Sequence, residues 1–219
     1  MSIITPSLWL ADLTKKSFLR EYPITAVHNS IDSDIFKPTE SNFKNENGLE
    51  GKKIVLGVAS VWTESKGLSD YLKLSQMLNG DYAVVLVGLS ERQIAGLRGR
   101  MKNSGEVRET AQGVMIDQTN AAPVLAITRT NSPAELAEIY TAADVFVNLT
   151  YEDNYPTVNL EAQACGTPCI TYRTGGSPES VPSANVVECG DLDGIVALIE
   201  NRLTDLAIQK PEQNKSNVI

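Results

Sequence analysis

Continuous apolar runs alternate with amphipathic stretches along most of the chain after residue 52. A short apolar run bounded by turn residues is typical of a strand buried on both faces, and a longer amphipathic stretch favours a helix. The runs predict strands at Ile54–Val61, Tyr82–Gly88, Val124–Thr128, Asp144–Asn148, Pro168–Tyr172 and Asn185–Val187. The amphipathic stretches predict helices at Gly67–Leu78, Glu91–Lys102, Pro133–Ala142, Pro156–Cys165 and Leu192–Leu206. This alternation predicts an α/β fold, a doubly wound parallel sheet over residues 52–208.

Residues 1–38 do not follow this alternation. We expect a helix from Ser7 to about Arg20, because Ser7 is a good N-cap residue ahead of an apolar periodic stretch. Its apolar positions near one face are Leu10, Leu13 and Phe18. A short strand, Ile24–His28, then leads into a turn-rich stretch.

Three polar segments are expected to be irregular. Residues 39–51 contain glycine and few large apolar groups, so they are predicted to be a linker or domain boundary. Residues 103–122 predict a long loop or an irregular hairpin, and residues 209–219 a flexible tail.

Composition excludes several classes of protein. With 219 residues, 42% hydrophobic and 21% charged, the chain is long enough for one large globular domain with a real core. A formal net charge of -8, from 19 basic and 27 acidic residues, argues against a nucleic-acid partner. No stretch is apolar enough to span a membrane and no signal peptide is visible, so we expect a cytoplasmic chain.

The cysteines and the single histidine do not suggest a metal site. The chain has three cysteines, an odd number, and they lie late in the sequence at Cys165, Cys169 and Cys189. This favours reduced, mostly buried thiols. Neither a second cysteine pair nor a histidine pair is present to complete four ligands, since His28 is the only histidine. We therefore expect no metal and no cofactor.

Candidate chemistry is expected in the loops that follow the strands, because open α/β sheets bind ligands at the carboxyl ends of their strands. Lys66 lies after the first main strand, near the predicted start of a helix, where a cation opposes the helix dipole. Either a bound phosphate compensates it there, or it is a solvated surface lysine. Neither a dinucleotide fingerprint nor a P-loop motif occurs.

The loop after Asn148 carries the second signal. Pro156 suits the first position of the next helix, which would leave the following N–H groups, of Thr157, Val158 and Asn159, to an anionic ligand. Glu161 is the only charge in that largely apolar helix, and a buried carboxylate needs partners. It could accept hydrogen bonds from a ribose diol, or be satisfied by a neighbouring arginine or amide.

Two more loops add weaker signals. The paired glycines Gly175 and Gly176 would let the backbone approach a ligand closely, although an ordinary tight turn also uses them. Thr128 and Arg129 lie at a strand end, where backbone groups could contact the edge of a base.

Together these loops resemble the C-terminal, nucleotide-sugar-binding domain of retaining glycosyltransferases with the two-domain GT-B architecture. The resemblance is particularly to group 1, family 4-like enzymes that build bacterial surface polysaccharides. The stretches that carry it are Glu135–Tyr140, Ala143–Asn148, Glu152–Cys169 and Thr174–Glu179. The opening Thr5–Leu10 and the segment Asn29–Asp32, with Phe36 and Pro38, resemble the part of that family in which the chain crosses between domains.

The resemblance implies a Rossmann-like fold and assigns roles to residues. The family has two carboxylates separated by seven residues, here Asp153 and Glu161, with Glu152 as a competing candidate for the first. Glu161 would hold the ribose, Asp153 would face the transferred sugar, and Lys66 would bind the diphosphate. The family's companion arginine is replaced near Ser60, which leaves more of the phosphate charge to Lys66. Further substrate-binding candidates are Thr128, Arg129, Thr150, Asn154, Tyr155, Pro156, Thr157, Val158, Gly175 and Gly176.

The resemblance also implies partners. The donor is a nucleotide diphospho-sugar, and the acceptor is bound by an N-terminal domain of which only the last helix and the crossover, residues 1–38, are recognised. The alternatives are a non-catalytic binding or interaction module that kept the fold, and one chain of a split glycosyltransferase. The split enzyme predicts an exposed apolar face near the first helix. Leftover interdomain surface is also compatible with a homodimer, and a lipid-linked acceptor with association at the inner face of the membrane.

Overall fold

The computed structural model describes residues 1–101 and 104–209. In chain order its strands are β1 (Ile3–Thr5), β2 (Ile24–Ala26), β3 (Lys53–Val58), β4 (Tyr82–Val87), β5 (Ser104–Glu109), β6 (Val114–Gln118), β7 (Val124–Ile127), β8 (Val145–Asn148), β9 (Cys169–Tyr172) and β10 (Val186–Val187). Its α-helices are α1 (Leu8–Lys15), α2 (Phe43–Glu46), α3 (Leu68–Met77), α4 (Glu91–Arg100), α5 (Pro133–Ala142), α6 (Thr157–Ala164) and α7 (Leu192–Gln209).

The main sheet has eight strands in the order β10-β9-β8-β3-β4-β7-β6-β5. The strands from β10 to β7 are parallel, and β5 and β6 add an antiparallel hairpin at one edge. The doubly wound parallel sheet is confirmed. Within the segment 103–122, expected to be a long loop or an irregular hairpin, residues 104–118 form this hairpin, whose register shifts between Ser104 and Val107.

Side chains that alternate along the strands build one core on each face of the sheet. Val55 contributes to the core beneath α3, α4 and α7, whereas its neighbours Ile54 and Leu56 contribute to the core beneath α2, α5 and α6. Both faces are therefore covered by helices, as the continuous apolar runs predict.

Residues 39–51, expected to be a linker, are part of this core. Phe43 in α2 and Leu49 after it are buried among apolar side chains of the second face. The Lys44 ammonium forms an ion pair with Asp144 at 2.7 Å, which fixes the segment beside β8. Two apolar side chains among polar neighbours were enough to anchor a segment whose composition indicated a loop.

The first 28 residues form a small unit beside the main sheet. β1 was not expected and pairs in parallel with β2. Ser7 caps α1 as predicted, because its hydroxyl accepts from the Leu10 N–H, but the helix ends at Lys15 rather than near Arg20. Phe18, expected on an apolar helix face, lies beyond the helix and is 88% exposed.

The remaining differences are at element ends. β3 stops at Val58 rather than Val61, so residues 59–61 belong to the loop that follows the strand. Pro156 precedes α6 rather than occupying its first position, so that helix begins one residue later than predicted. The tail predicted from residue 209 falls almost entirely on residues outside those described.

The order of the strands reverses beside β3. From β3 the chain runs to β4 and β7 on one side, and then crosses to β8, β9 and β10 on the other. The carboxyl ends of β3 and β8 therefore flank a crevice, which is the usual ligand position in an open α/β sheet. None of the helices in the described residues is both long enough and apolar enough to cross a membrane.

Candidate functional site

Two adjoining clefts open at the reversal point of the sheet. The inner cleft has a volume of about 300 Å³ and is lined by Asn29, Val58, Ala59, Ser60, Lys66, Asn148, Asp153, Tyr155, Pro156, Thr157 and Val158. The outer cleft has a volume of about 700 Å³ and is lined by Ser60, Val61, Trp62, Gly88, Leu89, Ser90, Glu91, Gln93, Thr128 and Arg129. Ser60, two residues after the end of β3, lines both clefts and so marks where they meet.

Lys66 faces the inner cleft from a 3-10 turn, Glu64–Lys66, rather than from the first turn of a helix as predicted. Gly67 separates the turn from α3 because it takes a left-handed conformation, with φ of 77°. A side chain there would meet the Leu149 carbonyl oxygen at 2.2 Å, so the glycine also lets two loops touch. The argument from the helix dipole therefore does not apply to Lys66.

An ion pair crosses the inner cleft between the two loops. The Lys66 ammonium lies 2.9 Å from an Asp153 carboxylate oxygen and donates to the Glu152 carbonyl oxygen at 3.4 Å. The Lys66 and Asp153 side chains are 36% and 20% exposed, so the pair is accessible from the cleft. Among the described residues that line this cleft, Lys66 is the only cation.

The N-terminus of α6 also faces the inner cleft. The first N–H groups of a helix have no intrahelical acceptor, which applies to Thr157 and Val158. The third N–H group predicted to be available, that of Asn159, donates instead to the Pro156 carbonyl oxygen at 3.3 Å. The cleft therefore combines the ammonium of Lys66 with the positive end of a helix dipole.

Glu161 lies one helical turn after Thr157 and does not line either cleft. Its carboxylate accepts a hydrogen bond from the Tyr140 hydroxyl at 3.0 Å. Burial raises the pKa of Glu161, although hydrogen bonds from Tyr140 and Thr157 act in the opposite direction. Its link to Thr157 connects this half-buried carboxylate to a residue of the inner cleft.

The glycine loop after β9 is pressed against the loop that bears Asp153. Gly175 has a φ of 50°, and a side chain there would lie 1.8 Å from the Asp153 carbonyl oxygen. At Gly176 a side chain would lie 1.9 Å from the Asn154 carbonyl oxygen. These glycines bring two loops together, but neither of them lines a cleft as predicted for substrate-binding residues.

The other predicted residues lie in different places. Thr128 and Arg129 are exposed at the end of β7 and line the outer cleft. Thr150 is buried, and its hydroxyl donates to the Glu152 carbonyl oxygen at 2.9 Å, so it shapes the loop rather than lining a cleft. The Glu152 and Asn154 side chains are exposed and outside both clefts.

Four residues of the inner cleft were not among the predicted site residues, namely Asn29, Val58, Ala59 and Asn148. Asn148 is the last residue of β8, a position that the rule on strand ends could have identified. Asn29 comes from the stretch after β2, and its side-chain amide donates to the Tyr155 carbonyl oxygen at 3.1 Å. The His28 ring beside it stacks on the Tyr155 ring, with centroids 4.5 Å apart.

The outer cleft is framed by a buried tryptophan. Trp62 is 4% exposed, and its indole N–H donates to the Val87 carbonyl oxygen at 2.9 Å. The Gln93 side chain donates to the Trp62 carbonyl oxygen at 2.8 Å and also closes a capping box with Ser90 at the start of α4. This cleft therefore has fixed walls at its β3 and α4 sides.

Cysteine thiols take no part in either cleft. Cys165 and Cys169 are buried and Cys189 is exposed, and all three are free. Within residues 1–101 and 104–209, no group of three or more His, Cys, Asp and Glu side chains is placed to hold a metal ion.

Comparison with known proteins identifies a family. Residues 39–217 match the family model described as "Glycosyl transferases group 1". A D-inositol 3-phosphate glycosyltransferase from Mycobacterium marinum is 25% identical over 184 residues, which cover 82% of this chain and 37% of that protein. The same enzyme from Corynebacterium jeikeium is 49% identical over 49 residues, 22% of this chain and 12% of that protein. The chain spans about a third or less of the length of these curated relatives.

Solved structures share the fold. Sucrose-phosphate synthase from Thermosynechococcus elongatus superimposes with a TM-score of 0.75 at 21% identity, covering 94% of this chain and 50% of that one. Anabaena HepE, solved in complex with UDP-glucose, gives a TM-score of 0.71 at 15% identity and covers 94% of this chain and 55% of that one. At such identities the likeness establishes the architecture.

Proposed function

The chain belongs to the group 1 glycosyl transferases, and on that premise we propose that it binds the nucleotide diphospho-sugar donor of a retaining sugar transfer. The acceptor is a glycan or a lipid-linked sugar, which would place the reaction in the cytoplasm at the inner face of the membrane. The observation that carries the proposal is the meeting of two clefts at Ser60, one open to a strand end and the other holding a cation and a helix N-terminus.

The inner cleft is suited to a diphosphate. Helix N-termini bind phosphate through free N–H groups and a favourable dipole, and Lys66 adds a full positive charge beside the N-terminus of α6. These groups are placed before the reaction begins, so they would stabilise the charge that develops on a departing diphosphate without reorganising. Asp153, on the opposite loop, would face the sugar.

The outer cleft is suited to the base and ribose. Thr128 and Arg129 present a strand end to it, and Trp62 and Gln93 form its fixed wall. Glu161 lines neither cleft, and the family resemblance alone assigns it the ribose; its hydrogen bond from Thr157 places it behind the inner cleft, on the side from which it would accept from the ribose diol. HepE is solved with UDP-glucose, which makes uridine conjugates the first ligands to test.

A non-catalytic module is the second candidate, and one observation favours it. Ser60 stands where the family resemblance leads us to expect an arginine, and Lys66 is already paired with Asp153. Such a module would bind a nucleotide with neither hydrolysis nor sugar transfer.

The test of the proposal is a calorimetric titration of the chain with UDP, GDP, ADP and their hexose conjugates, with and without magnesium. We expect saturable binding of one nucleotide and no requirement for the metal. Failure of every nucleotide to bind would contradict the proposal. If the chain binds a nucleotide but no sugar is transferred even when an acceptor-binding domain is added, the non-catalytic module is favoured.

The acceptor-binding domain has a candidate docking face in the β1–α1–β2 unit. In the described residues this two-stranded parallel sheet has no third strand, and such sheets are rarely stable alone. Large apolar side chains are exposed around it, namely Ile4, Leu8, Trp9, Leu13, Phe18, Tyr22 and Val27. We propose that an α/β domain covers this face in the whole enzyme, whether it belongs to the same chain or to a separate one.

Sedimentation velocity tests this face. Clustered exposed apolar side chains drive association, so we expect the isolated chain to form concentration-dependent dimers. Phe18→Ser should shift the equilibrium toward monomer, whereas Val61→Ser, at another exposed apolar residue, should leave it unchanged. A chain that stays monomeric at all concentrations would contradict the prediction.

A further inference from the structure

Tyr151 links its own loop to two others around the inner cleft, although it does not line the cleft itself. Its backbone N–H donates to the Ser65 carbonyl oxygen at 2.7 Å, on the turn that carries Lys66. Its own carbonyl oxygen accepts from the Thr174 hydroxyl at 2.7 Å, at the start of the glycine loop. Because Asp153 follows two residues later, the backbone of Tyr151 joins all three loops.

The side chain of Tyr151 is fixed at its far end. Its hydroxyl donates to a carboxylate oxygen of Asp70 at 2.6 Å, and its ring meets the Tyr172 ring edge-on, with centroids 5.5 Å apart. Asp70 belongs to the first turn of α3, four residues after Lys66. The tyrosine is therefore held between α3 and β9 while its backbone holds the loops.

Asp70 is a buried carboxylate with a full set of donors. It is 5% exposed and accepts from the hydroxyls of Tyr151 and Tyr172 and, at 3.1 Å, from the Lys73 ammonium. Burial alone would raise the pKa of Asp70, but these donors outweigh it and the pKa is lowered. The hydrogen bond to Asp70 raises the pKa of Tyr151 to about 12, so the phenol remains a donor at neutral pH.

We propose that Tyr151, anchored by Asp70, is a positioning residue that sets the separation of Lys66, Asp153 and the glycine loop. This inference rests on the proposed function, since the groups it positions are those assigned to the diphosphate and the sugar. A purely structural tyrosine would affect stability alone. A positioning residue affects ligands that span the loops more strongly than ligands that touch one wall.

The test compares three probes on the full chain: UDP-glucose, UDP and uridine, or the matching set for another base that the unmodified chain selects. Tyr151→Phe removes one hydroxyl and leaves the ring. We expect affinity for UDP-glucose to fall about tenfold, because the loop that bears Asp153 loses its anchor to Asp70 and the spacing of Lys66 and Asp153 is no longer fixed, while uridine affinity stays unchanged. Tyr22→Phe, at a tyrosine that is also 40% exposed but lines neither cleft, is the matched control.

Asp70→Asn provides a second, independent variant. If the two residues act through one contact, the double variant with Tyr151→Phe should lose no more UDP-glucose affinity than the larger single loss. Wild-type affinity of Tyr151→Phe for UDP-glucose, or equal losses for all three probes in parallel with the melting temperature, would overturn the inference. If the unmodified chain binds no probe, the proposed function fails, and this inference fails with it.

Discussion

Replacing Lys66 with alanine is expected to abolish most diphosphate affinity while leaving nucleoside affinity intact. The variant loses charge-assisted hydrogen bonds to phosphate and leaves Asp153 as an unpaired carboxylate facing the same cleft. A hydrogen bond to a charged group contributes about 1.5 to 3 kcal/mol, which corresponds to a fall of about tenfold to about a hundredfold or more in affinity. Titration with UDP and with uridine measures the difference.

The unpaired carboxylate can be separated from the lost cation. Adding Asp153→Asn to the Lys66→Ala variant removes the repulsion and should restore part of the UDP affinity. UDP affinity should also depend less on salt concentration in both variants, because salt screens the attraction between Lys66 and the diphosphate and both variants lack that ammonium.

Lys44→Ala is the matched control for the removal of an ion-paired lysine. Lys44 is 32% exposed and pairs with Asp144 at 2.7 Å, but it lies outside both clefts. It should lose stability without losing UDP affinity. Equal losses for UDP and uridine in the Lys66→Ala variant would remove Lys66 from the phosphate site.

Local sequence pattern was sufficient to predict the six parallel strands of the main sheet. Runs such as Tyr82–Val87 are apolar without interruption because helices cover both faces of the strand, and this environment acts on each residue separately. β1 could not be found in this way. Its three residues are stabilised by pairing with β2, about twenty residues further along the chain, and not by a pattern of their own.

The loops that line the two clefts could be predicted for the same reason. Strand ends point to these loops, and Lys66 and the start of α6 were identified from their position, whereas Asp153 was identified from the family resemblance. Their geometry could not be predicted, since the ion pair joins residues 87 apart in sequence. The turn that holds Lys66 depends on the contact of Gly67 with Leu149, which no local window contains.

The roles of Tyr151 and Asp70 were hidden for a further reason. Each is unremarkable in its own segment, since an aspartate in the first turn of a helix is common and a tyrosine in a loop is not diagnostic. Their hydrogen bond spans 81 residues of sequence. Only the fold brings them together, and so a positioning residue leaves less trace in a single sequence than a strand or a cap does.

Glu161→Gln is expected to weaken nucleotide binding without weakening the fold. Two hydrogen bonds from a ribose diol to a carboxylate become bonds to a neutral amide, which should cost about 1 to 3 kcal/mol of binding free energy. Tyr140 can still donate to the amide oxygen of glutamine, so the contact to α5 survives. Titration with nucleosides and nucleotides should show the same loss for both, in contrast to Lys66→Ala.

The raised pKa of Glu161 predicts that Glu161→Gln does not lower the stability of the fold. Burial raises this pKa, so the charged form is disfavoured in the folded protein relative to the unfolded chain. A raised carboxyl pKa contributes stability at low pH that is lost as pH rises through the folded value. At neutral pH the charge of Glu161 is therefore a cost, and the Gln variant should unfold at the same temperature or a higher one.

The same pKa predicts how binding depends on pH. If the ribose requires the carboxylate, affinity of the unmodified chain falls as pH drops from neutral through the raised pKa of Glu161, and the Gln variant shows no such fall. Glu138→Gln, at an exposed position of α5, removes the same charge and should change neither affinity nor its pH dependence. If the Glu161→Gln variant binds nucleotides with unchanged affinity, Glu161 has no role in the site. It would then be a residue of the core alone.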